Sequence, residues 1–174
     1  SSDFVFKVFN YIRENYSIKT GLSIYSKDEL DNLDNCFKNE IKVIQAPNNI
    51  FDDTASKLKE NNLINQDTKV IARSIFLQGF LISNNCLIPE FLEEFETFKK
   101  LCLGYNLDSK EVCIRHAIQN QSLDFIVVGV NCIKHLNDLI NNVNLIKKNK
   151  HPKISNLESK NNELKLIDPR KWPK

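Results

Sequence analysis

The order of the secondary-structure signals constrains the fold of this chain more than any other feature. Apolar residues at helical spacing predict an amphipathic helix over residues 4–16. Four β-rich stretches follow, each succeeded by a helical stretch, and their apolar character predicts strands buried on both faces. Such alternation is typical of parallel strands joined by right-handed crossovers. The four strands are predicted at 22–25, 41–45, 68–77 and 125–130.

Polar residues at fixed offsets indicate where several helices begin. Ser26 and Glu29 have the form of a capping box, which predicts a helix over 27–37. Asp108, with Glu111 three residues further on, predicts a second capped helix. Further helices are predicted near 53–62, from Pro89 to about 103, and over 132–147.

Two architectures fit this order of elements: a small doubly wound sheet, or half of a TIM (β/α)8 barrel. A doubly wound sheet ordinarily places a glycine-rich phosphate turn after an early strand, but the chain has four glycines and no GxGxxG or P-loop motif. We therefore favour the half-barrel, an α/β fold with four parallel strands alternating with helices. Residues 1–150 would form this partial barrel and 151–174 a tail. The candidate docking points of the tail are Leu164, Leu166, Ile167 and Trp172.

Composition excludes several classes of protein. The formal net charge is only +2 and the basic residues are scattered among acidic ones, so no nucleic-acid partner is predicted. The apolar runs are far shorter than the roughly 20 residues that span a bilayer, and the N-terminus lacks a signal-peptide pattern. We expect a cytoplasmic protein without a membrane segment. The five cysteines form no CxxC pair, which suits reduced thiols.

The sequence shows no recognisable set of catalytic or metal-binding residues. His116, His135 and His151 have no metal-ligand spacing with one another or with cysteine, and we expect surface or helix-packing roles for them. No Ser/His/Asp arrangement stands out, and the carboxylates occupy the positions of helix caps and solvated faces. The sequence therefore predicts no catalytic residue and no metal site. The chain also contains no methionine, which suggests that a preceding segment was removed.

Polar residues stand at the carboxyl ends of the predicted strands, where the ligands of parallel sheets gather. Ser23 and Gln45 lie in otherwise apolar strands. Their polar groups need partners, because an unpaired buried amide or hydroxyl costs roughly 1–3 kcal/mol. A ligand is one source of such partners and the backbone of neighbouring loops is the other, and the sequence alone leaves both open.

Arg73 is the strand-end residue that most needs a partner, because its side chain is charged. An unpaired guanidinium between Ile71 and Ile75 would be costly, so it must meet a carboxylate, a phosphate or water. A bound anion and an internal salt bridge are equally open explanations. Gly79 would allow the backbone to approach an anionic ligand closely, or would simply form a turn.

Four segments lie on these strands in a fixed order: 21–26 (GLSIYS), 43–52 (VIQAPNNIFD), 72–79 (ARSIFLQG) and 127–131 (VVGVN). Together they resemble strands five to eight of the aldo/keto reductases, so the resemblance implies the C-terminal half of that family's TIM barrel. The likeness extends from about Thr20 to Val143. The closing residues 166–172 resemble, more weakly, the end of reductase relatives found in bacterial surface-sugar pathways.

The resemblance implies reduction of a small carbonyl compound by hydride transfer from NADP(H) or NAD(H), with a sugar derivative as one candidate substrate. In that family a serine after strand five and a glutamine ending strand six hold the nicotinamide carboxamide. These residues correspond to Ser23 and Gln45. The segment after strand seven lines the ring and the pyrophosphate of the cofactor. It corresponds here to Arg73, Ser74, Phe76 and Gly79.

This chain departs from the family pattern at several positions. Ile24 stands where many members have an asparagine, and Arg73 where many have a stacking aromatic residue. Gly129, Val130 and roughly His135 occupy positions where the family often binds the adenosine 2′-phosphate. The resemblance therefore does not decide between NADP and NAD.

The family's Asp, Tyr, Lys and His tetrad lies in the first half of the barrel, so the resemblance implies that this chain lacks it and is inactive alone. A half-barrel exposes two strand edges and an apolar inner face. The expected partner is therefore the missing N-terminal half, or a second copy of the chain. The alternative from another class is a free-standing, non-catalytic module that binds a nucleotide or a protein.

Overall fold

A computed structural model describes residues 2–31, 33, 35–149, 152–158 and 166–173, without the side chains of 2, 3 and 35–37. Within these residues the chain forms a four-stranded parallel sheet in which each strand pairs with the next in sequence. The predicted α/β class, with four parallel strands alternating with helices, is confirmed. The strands are β1 Gly21–Ser23, β2 Val43–Pro47, β3 Lys69–Arg73 and β4 Phe125–Ile126.

Helices flank and connect these strands. The predicted helix start at Asp108 is confirmed, because the Asp108 carboxylate accepts a hydrogen bond from the Glu111 N–H at 2.9 Å. No helix in the described part of the chain is long and apolar enough to cross a membrane. The helices are α1 Ser2–Asn15, α2 Asp28–Asp31, α3 Asn35–Glu40, α4 Thr54–Glu60, α5 Leu92–Tyr105, α6 Ser109–Ile118 and α7 Ile133–Lys148.

The single helix predicted over 27–37 is wrong, because two short helices, α2 and α3, occupy this region. The capping box also differs from expectation, since the Glu29 carboxylate accepts from the backbone N–H of Tyr25 at 3.2 Å. Asparagine and aspartate are frequent over 31–35, and both residue types favour caps and turns over helix interiors.

Three strands, β1, β3 and β4, are shorter than predicted, and β2 begins and ends two residues later than predicted. β3 ends at Arg73 rather than at 77, because Ser74 adopts a left-handed conformation with φ of 60°. β4 contains two residues, although the Val127 N–H still donates to the Ala72 carbonyl at 2.8 Å. The chain therefore leaves the sheet early, and the polar residues after β3 lie in a loop.

The sheet has one face covered by helices and one open face. On the covered face, Ile44, Val70 and Ala72 have no exposed surface. On the open face, Ser23 is exposed, Gln45 and Arg73 are half-buried, and Phe125 is 58% exposed. The expectation that the strands are buried on both faces is therefore wrong for this chain. The apolar residues of the covered face pack against the helices, whereas the open face carries the polar strand-end residues.

The pairing of β1 with β2 requires glycine at position 21. A Cβ atom on Gly21 would lie 2.1 Å from the carbonyl oxygen of Val43. This oxygen belongs to the paired backbone and cannot move away, so only glycine fits at position 21. This close approach fixes a register in which Gly21 is opposite Val43 and Ser23 is opposite Gln45.

One carboxylate joins β4 to its neighbours. Asp124 accepts hydrogen bonds from Lys59 Nζ at 2.7 Å, Lys69 Nζ at 2.8 Å and the Val70 N–H at 2.9 Å. Burial acts to raise the pKa of Asp124, but these hydrogen bonds outweigh it and hold the pKa below its ordinary value. The ionised carboxylate therefore links the start of β4 to α4 and to β3.

The C-terminal tail docks where the sequence predicts. Leu166 is fully buried, and the ring of Trp172 lies 6.0 Å from that of Phe80 and 6.5 Å from that of Phe91. Ile167 also packs against this aromatic cluster. The predicted docking points at 166, 167 and 172 are confirmed, whereas Leu164 lies outside the described residues.

Candidate functional site

Ser23 and Gln45 meet on the open face of the sheet. Ser23 is the last residue of β1, and its register partner Gln45 lies two residues before the end of β2. The Ser23 hydroxyl donates to Gln45 Oε1 at 3.4 Å. This distance is long for such a bond, so it is weak. The two side chains bond each other rather than loop backbone, which leaves an exposed hydroxyl and amide available to a ligand.

Arg73 lies on the same open face, and its guanidinium reaches from β3 to the end of β1. Nη2 donates to the carbonyl of Ile24 at 3.0 Å, and Nη1 donates to the Ser74 hydroxyl at 3.2 Å. The Cζ atom lies 4.1 Å from the centre of the Tyr25 ring, in cation–π contact. Among the described residues no carboxylate forms an ion pair with Arg73. The internal salt bridge is therefore not formed within this part of the chain.

Sequence reasoning missed the contribution of Tyr25 and Arg170. The Arg170 Cζ atom lies 3.7 Å from the Tyr25 ring centre, so guanidinium groups from β3 and from the tail contact the same ring. Arg170 also forms two hydrogen bonds with the Asp168 carboxylate, at 2.8 and 2.9 Å. Asp168 and Arg170, separated by Pro169, were the sequence signal available for a turn in the tail. The contact of Arg170 with Tyr25 joins residues 145 positions apart, and such a contact leaves no local sequence pattern.

A third missed residue is Asp52, in the loop after β2. Its side chain is 3% exposed, one carboxylate oxygen accepts from the Thr54 N–H at 2.9 Å, and the other has no partner among the described residues. Burial raises the pKa of Asp52 to about 6, although the Thr54 hydrogen bonds and the nearby Arg73 oppose this shift. The signal available in the sequence was the Asn49-x-x-Asp52 spacing, which forms a tight turn through backbone bonds between these two residues.

The loop after β3 holds the remaining predicted residues in an unusual backbone conformation. Positive φ angles occur at Ser74 (60°), Leu77 (47°), Gln78 (53°) and Gly79 (87°). A Cβ atom on Gly79 would meet nothing within 4 Å, so the space in front of this residue is open. Left-handed conformations at non-glycine residues are strained, and such strain clusters at ligand-binding loops. Phe76, by contrast, is half-buried and packs against two apolar clusters.

A cavity of about 390 Å³ adjoins the strand ends. Tyr25 and Arg170 form part of its wall, together with Asp52 and the Lys57–Asp53 ion pair. Groups of both charges line this cavity, so its charge does not favour one class of ligand.

The histidine and cysteine side chains that the structure describes take no part in the strand-end site. His116 in α6 is 6% exposed and contacts the side-chain amide of Asn156. Burial lowers the pKa of His116, which favours the neutral form of a residue packed inside the fold. His135 is exposed on α7, and His151 lies outside the described residues. Among the described residues no group of three or more His, Cys, Asp or Glu side chains has the arrangement of a metal site. The described cysteines, Cys86, Cys102, Cys113 and Cys132, are free thiols.

Parallel βα units with polar side chains at the carboxyl ends of an open sheet face define a segment of the (β/α) barrel class. The family model of the aldo/keto reductases matches residues 18–160. The chain therefore belongs to the aldo/keto reductase family. Comparison with curated protein sequences gave no significant match.

Solved structures agree with this fold. The chain is similar to an aldo-keto reductase from Bacillus halodurans, with a TM-score of 0.57 and 16% identity in the apo form and 0.56 and 16% in the holo form. The alignments cover 92% and 86% of this chain, but 54% and 50% of the solved chains. The chain thus spans about half the length of these relatives. A glycerol dehydrogenase from Gluconobacter oxydans is more distant, with a TM-score of 0.40 and 14% identity over 78% of this chain and 52% of that one.

The raised pKa of Asp52 predicts a pH-dependent stability. Because the folded-state pKa, about 6, lies above the ordinary 3.8, the folded chain binds the proton more tightly. The stability this contributes is present below about pH 4 and is lost as pH rises past about 6, a change of roughly 2–3 kcal/mol. In Asp52→Asn this component disappears, so the stability of the variant relative to the wild-type protein should improve as pH rises. Urea midpoints of the full-length gene product at about pH 4 and about pH 7 measure it.

Asp67→Asn, at an exposed turn position, is the control for this measurement. If Asp52→Asn and Asp67→Asn change the urea midpoint equally at both pH values, the buried Asp52 carboxyl does not have the proposed raised pKa.

Proposed function

We propose that this chain forms the cofactor side of an aldo/keto reductase barrel, which reduces a small carbonyl compound by hydride transfer from NADP(H) or NAD(H). The observation that carries this proposal is the juxtaposition of Ser23, Gln45 and Arg73 on one open face, within the last three residues of three paired strands. A cytoplasmic location is part of the proposal and rests on the sequence pattern alone.

The donor and acceptor groups of the site suit a nicotinamide carboxamide. A carboxamide has one acceptor oxygen and one donor NH₂ group, and the Ser23 hydroxyl and the Gln45 amide each offer both functions. Their mutual bond of 3.4 Å is weak enough for a ligand to replace. When bound, the cofactor would supply the hydride, while Ser23 and Gln45 would fix the orientation of its ring.

Residues of the β3 loop would hold the rest of the cofactor. Ser74 and Gly79 have left-handed backbone conformations, and the open space at Gly79 permits close approach of a phosphate group. Arg73 offers unused N–H donors beside Ser23. Phe76 would act mainly by packing behind the loop, since it lies against two apolar clusters. These four residues and the Ser23–Gln45 pair form the proposed cofactor-binding set.

The acid–base residues of the reaction would come from the part of the barrel that has no counterpart here. The support is the coverage of about half of the related solved chains. The substrate is proposed as a carbonyl compound, with a sugar derivative as the specific candidate. The latter rests on the resemblance of 166–172 to surface-sugar reductases. Four residues of this segment, Ile167, Asp168, Arg170 and Lys171, line the cavity beside Tyr25.

Substitution of the carboxamide-binding pair tests the proposed cofactor site. In the full-length gene product, Ser23→Ala and Gln45→Ala should each weaken binding of NADPH or NADH by about 1 kcal/mol, roughly fivefold, through loss of one hydrogen bond. Titration of the cofactor's fluorescence measures the affinity, and urea midpoints should stay close to those of the wild-type protein.

Gln66→Ala is the matched control, because it removes an exposed amide at the turn that precedes β3, whereas Arg73 lies at the other end of that strand. It should leave cofactor affinity unchanged. Absence of cofactor binding by the wild-type gene product would contradict the proposal and favour a non-catalytic module.

The open face also carries the surface on which we propose that a second half-barrel packs. Phe125 is 58% exposed and Val127 48%, at the β4 edge of the sheet. Helix α7 adds an exposed apolar stripe in the same part of the chain. Its members are Ile133, Leu136 and Ile140. Exposed apolar surface beside a free strand edge favours a covering partner. The partner would be the N-terminal half of the barrel or a second copy of this chain.

A charge at Phe125 tests this surface. In the full-length gene product Phe125→Asp should destabilise by more than about 3 kcal/mol, because the partner would bury an unpaired carboxylate. Leu103→Asp is the control, since Leu103 is even more exposed, at 80%, but lies on α5. That control should change stability by less than about 0.5 kcal/mol. Equal effects of the two substitutions would contradict a partner at Phe125, and sedimentation analysis would distinguish a monomer from a two-copy assembly.

A further inference from the structure

Every hydrogen-bonding or stacking partner of Arg73 among the described residues is a neutral group. It donates to a carbonyl and a hydroxyl and stacks on a phenol ring, and no described carboxylate forms an ion pair with it. The buried Asp52 interacts electrostatically with it. Arg170 contacts the same ring but is bonded to Asp168 and is more than half exposed. The positive charge of Arg73 is therefore the less compensated and the less screened of the two.

The position of this charge relative to the Ser23–Gln45 pair follows from the strand register. Gln45 is opposite Ile71, and Arg73 is two residues further along the same face of β3. The guanidinium then crosses to the carbonyl of Ile24, the residue directly after Ser23. A ring held through its carboxamide by Ser23 and Gln45 would therefore be a close neighbour of the Arg73 cation.

The two redox states of a nicotinamide differ in charge, and a nearby cation distinguishes them. The oxidised ring is a cation, whereas the reduced ring is neutral, so only the oxidised form is repelled by a guanidinium. In the partly buried surroundings of Arg73 this repulsion is weakly screened by solvent. A residue of this kind changes the relative affinity of the two forms rather than the affinity of both.

We propose that Arg73 makes the site selective for the reduced cofactor, and so favours carbonyl reduction over alcohol oxidation. This inference rests on the proposed function, because it requires the nicotinamide to be held by Ser23 and Gln45. Arg73 acts here as a specificity-determining residue through its charge. Its hydrogen bonds to Ile24 and Ser74 hold the guanidinium in position.

The test is the ratio of the dissociation constants of the oxidised and reduced cofactor, measured by calorimetry on the full-length gene product. Arg73→Gln should lower this ratio about tenfold, chiefly by tightening binding of the oxidised form. A tenfold change corresponds to about 30 mV in the potential of the bound two-electron couple. Arg73→Lys keeps the charge and should retain most of the ratio, although it loses the planar, bifurcated donor set.

Two further variants complete the experiment. Arg170→Gln is the matched control, because this guanidinium contacts the same ring but is 55% exposed and screened by water, so the ratio should change by less than about threefold. Asp52→Asn removes a negative charge that interacts with Arg73 and should raise the ratio. It tests the same electrostatic effect with the opposite sign if Arg73→Gln does not fold.

The outcomes separate the two proposals. A wild-type protein that binds neither cofactor form overturns the proposed function and this inference with it. A protein that binds both forms, with the ratio unchanged in Arg73→Gln or in Asp52→Asn, keeps the proposed function and overturns the role of Arg73. An equal fall of the ratio in Arg73→Lys and Arg73→Gln also overturns it, because hydrogen bonding rather than charge would then be responsible.

Discussion

The parallel register of β1, β2 and β3 determines where every polar residue of the site lies. Side chains alternate between the two faces of a strand, so a slip of one residue would move Ser23, Gln45 and Arg73 from the open face to the helix-covered face. The register is fixed from both sides: Gly21 permits the close approach to Val43, and Ile44 and Val70 are fully buried against the helices. The same packing that stabilises the sheet thus presents the site.

The second requirement of the site is the tail. Trp172 anchors it on Phe80 and Phe91, and Arg170 then reaches the Tyr25 ring beside Arg73. The loops after β1 and β3 are therefore held by a segment at the far end of the chain. Contacts between distant segments therefore determine which groups surround Arg73. Its position at the end of β3, by contrast, follows from the local sequence.

Much of this organisation could be predicted from the sequence where the signals are local. Apolar periodicity located α1 and α7, the Asp108 cap located α6, and the β-rich stretches placed Ser23 in β1 and Gln45 in β2. The error about strand burial has one cause, since short apolar runs do not reveal which neighbours they meet. Burial on both faces was predicted because no local signal marks an open face. Asp52, Tyr25 and Arg170 were missed because burial and contacts between distant segments give them their properties.

Hydrogen–deuterium exchange of the full-length gene product with and without NADPH tests whether the open carboxyl edge of the sheet binds a nicotinamide cofactor. Binding there should slow exchange in three segments of the open edge, 21–25, 43–49 and 73–80, with no comparable change in α5. Protection confined to other surfaces, such as the cavity that His116 and Asn156 line between α4 and α6, would contradict binding at this edge.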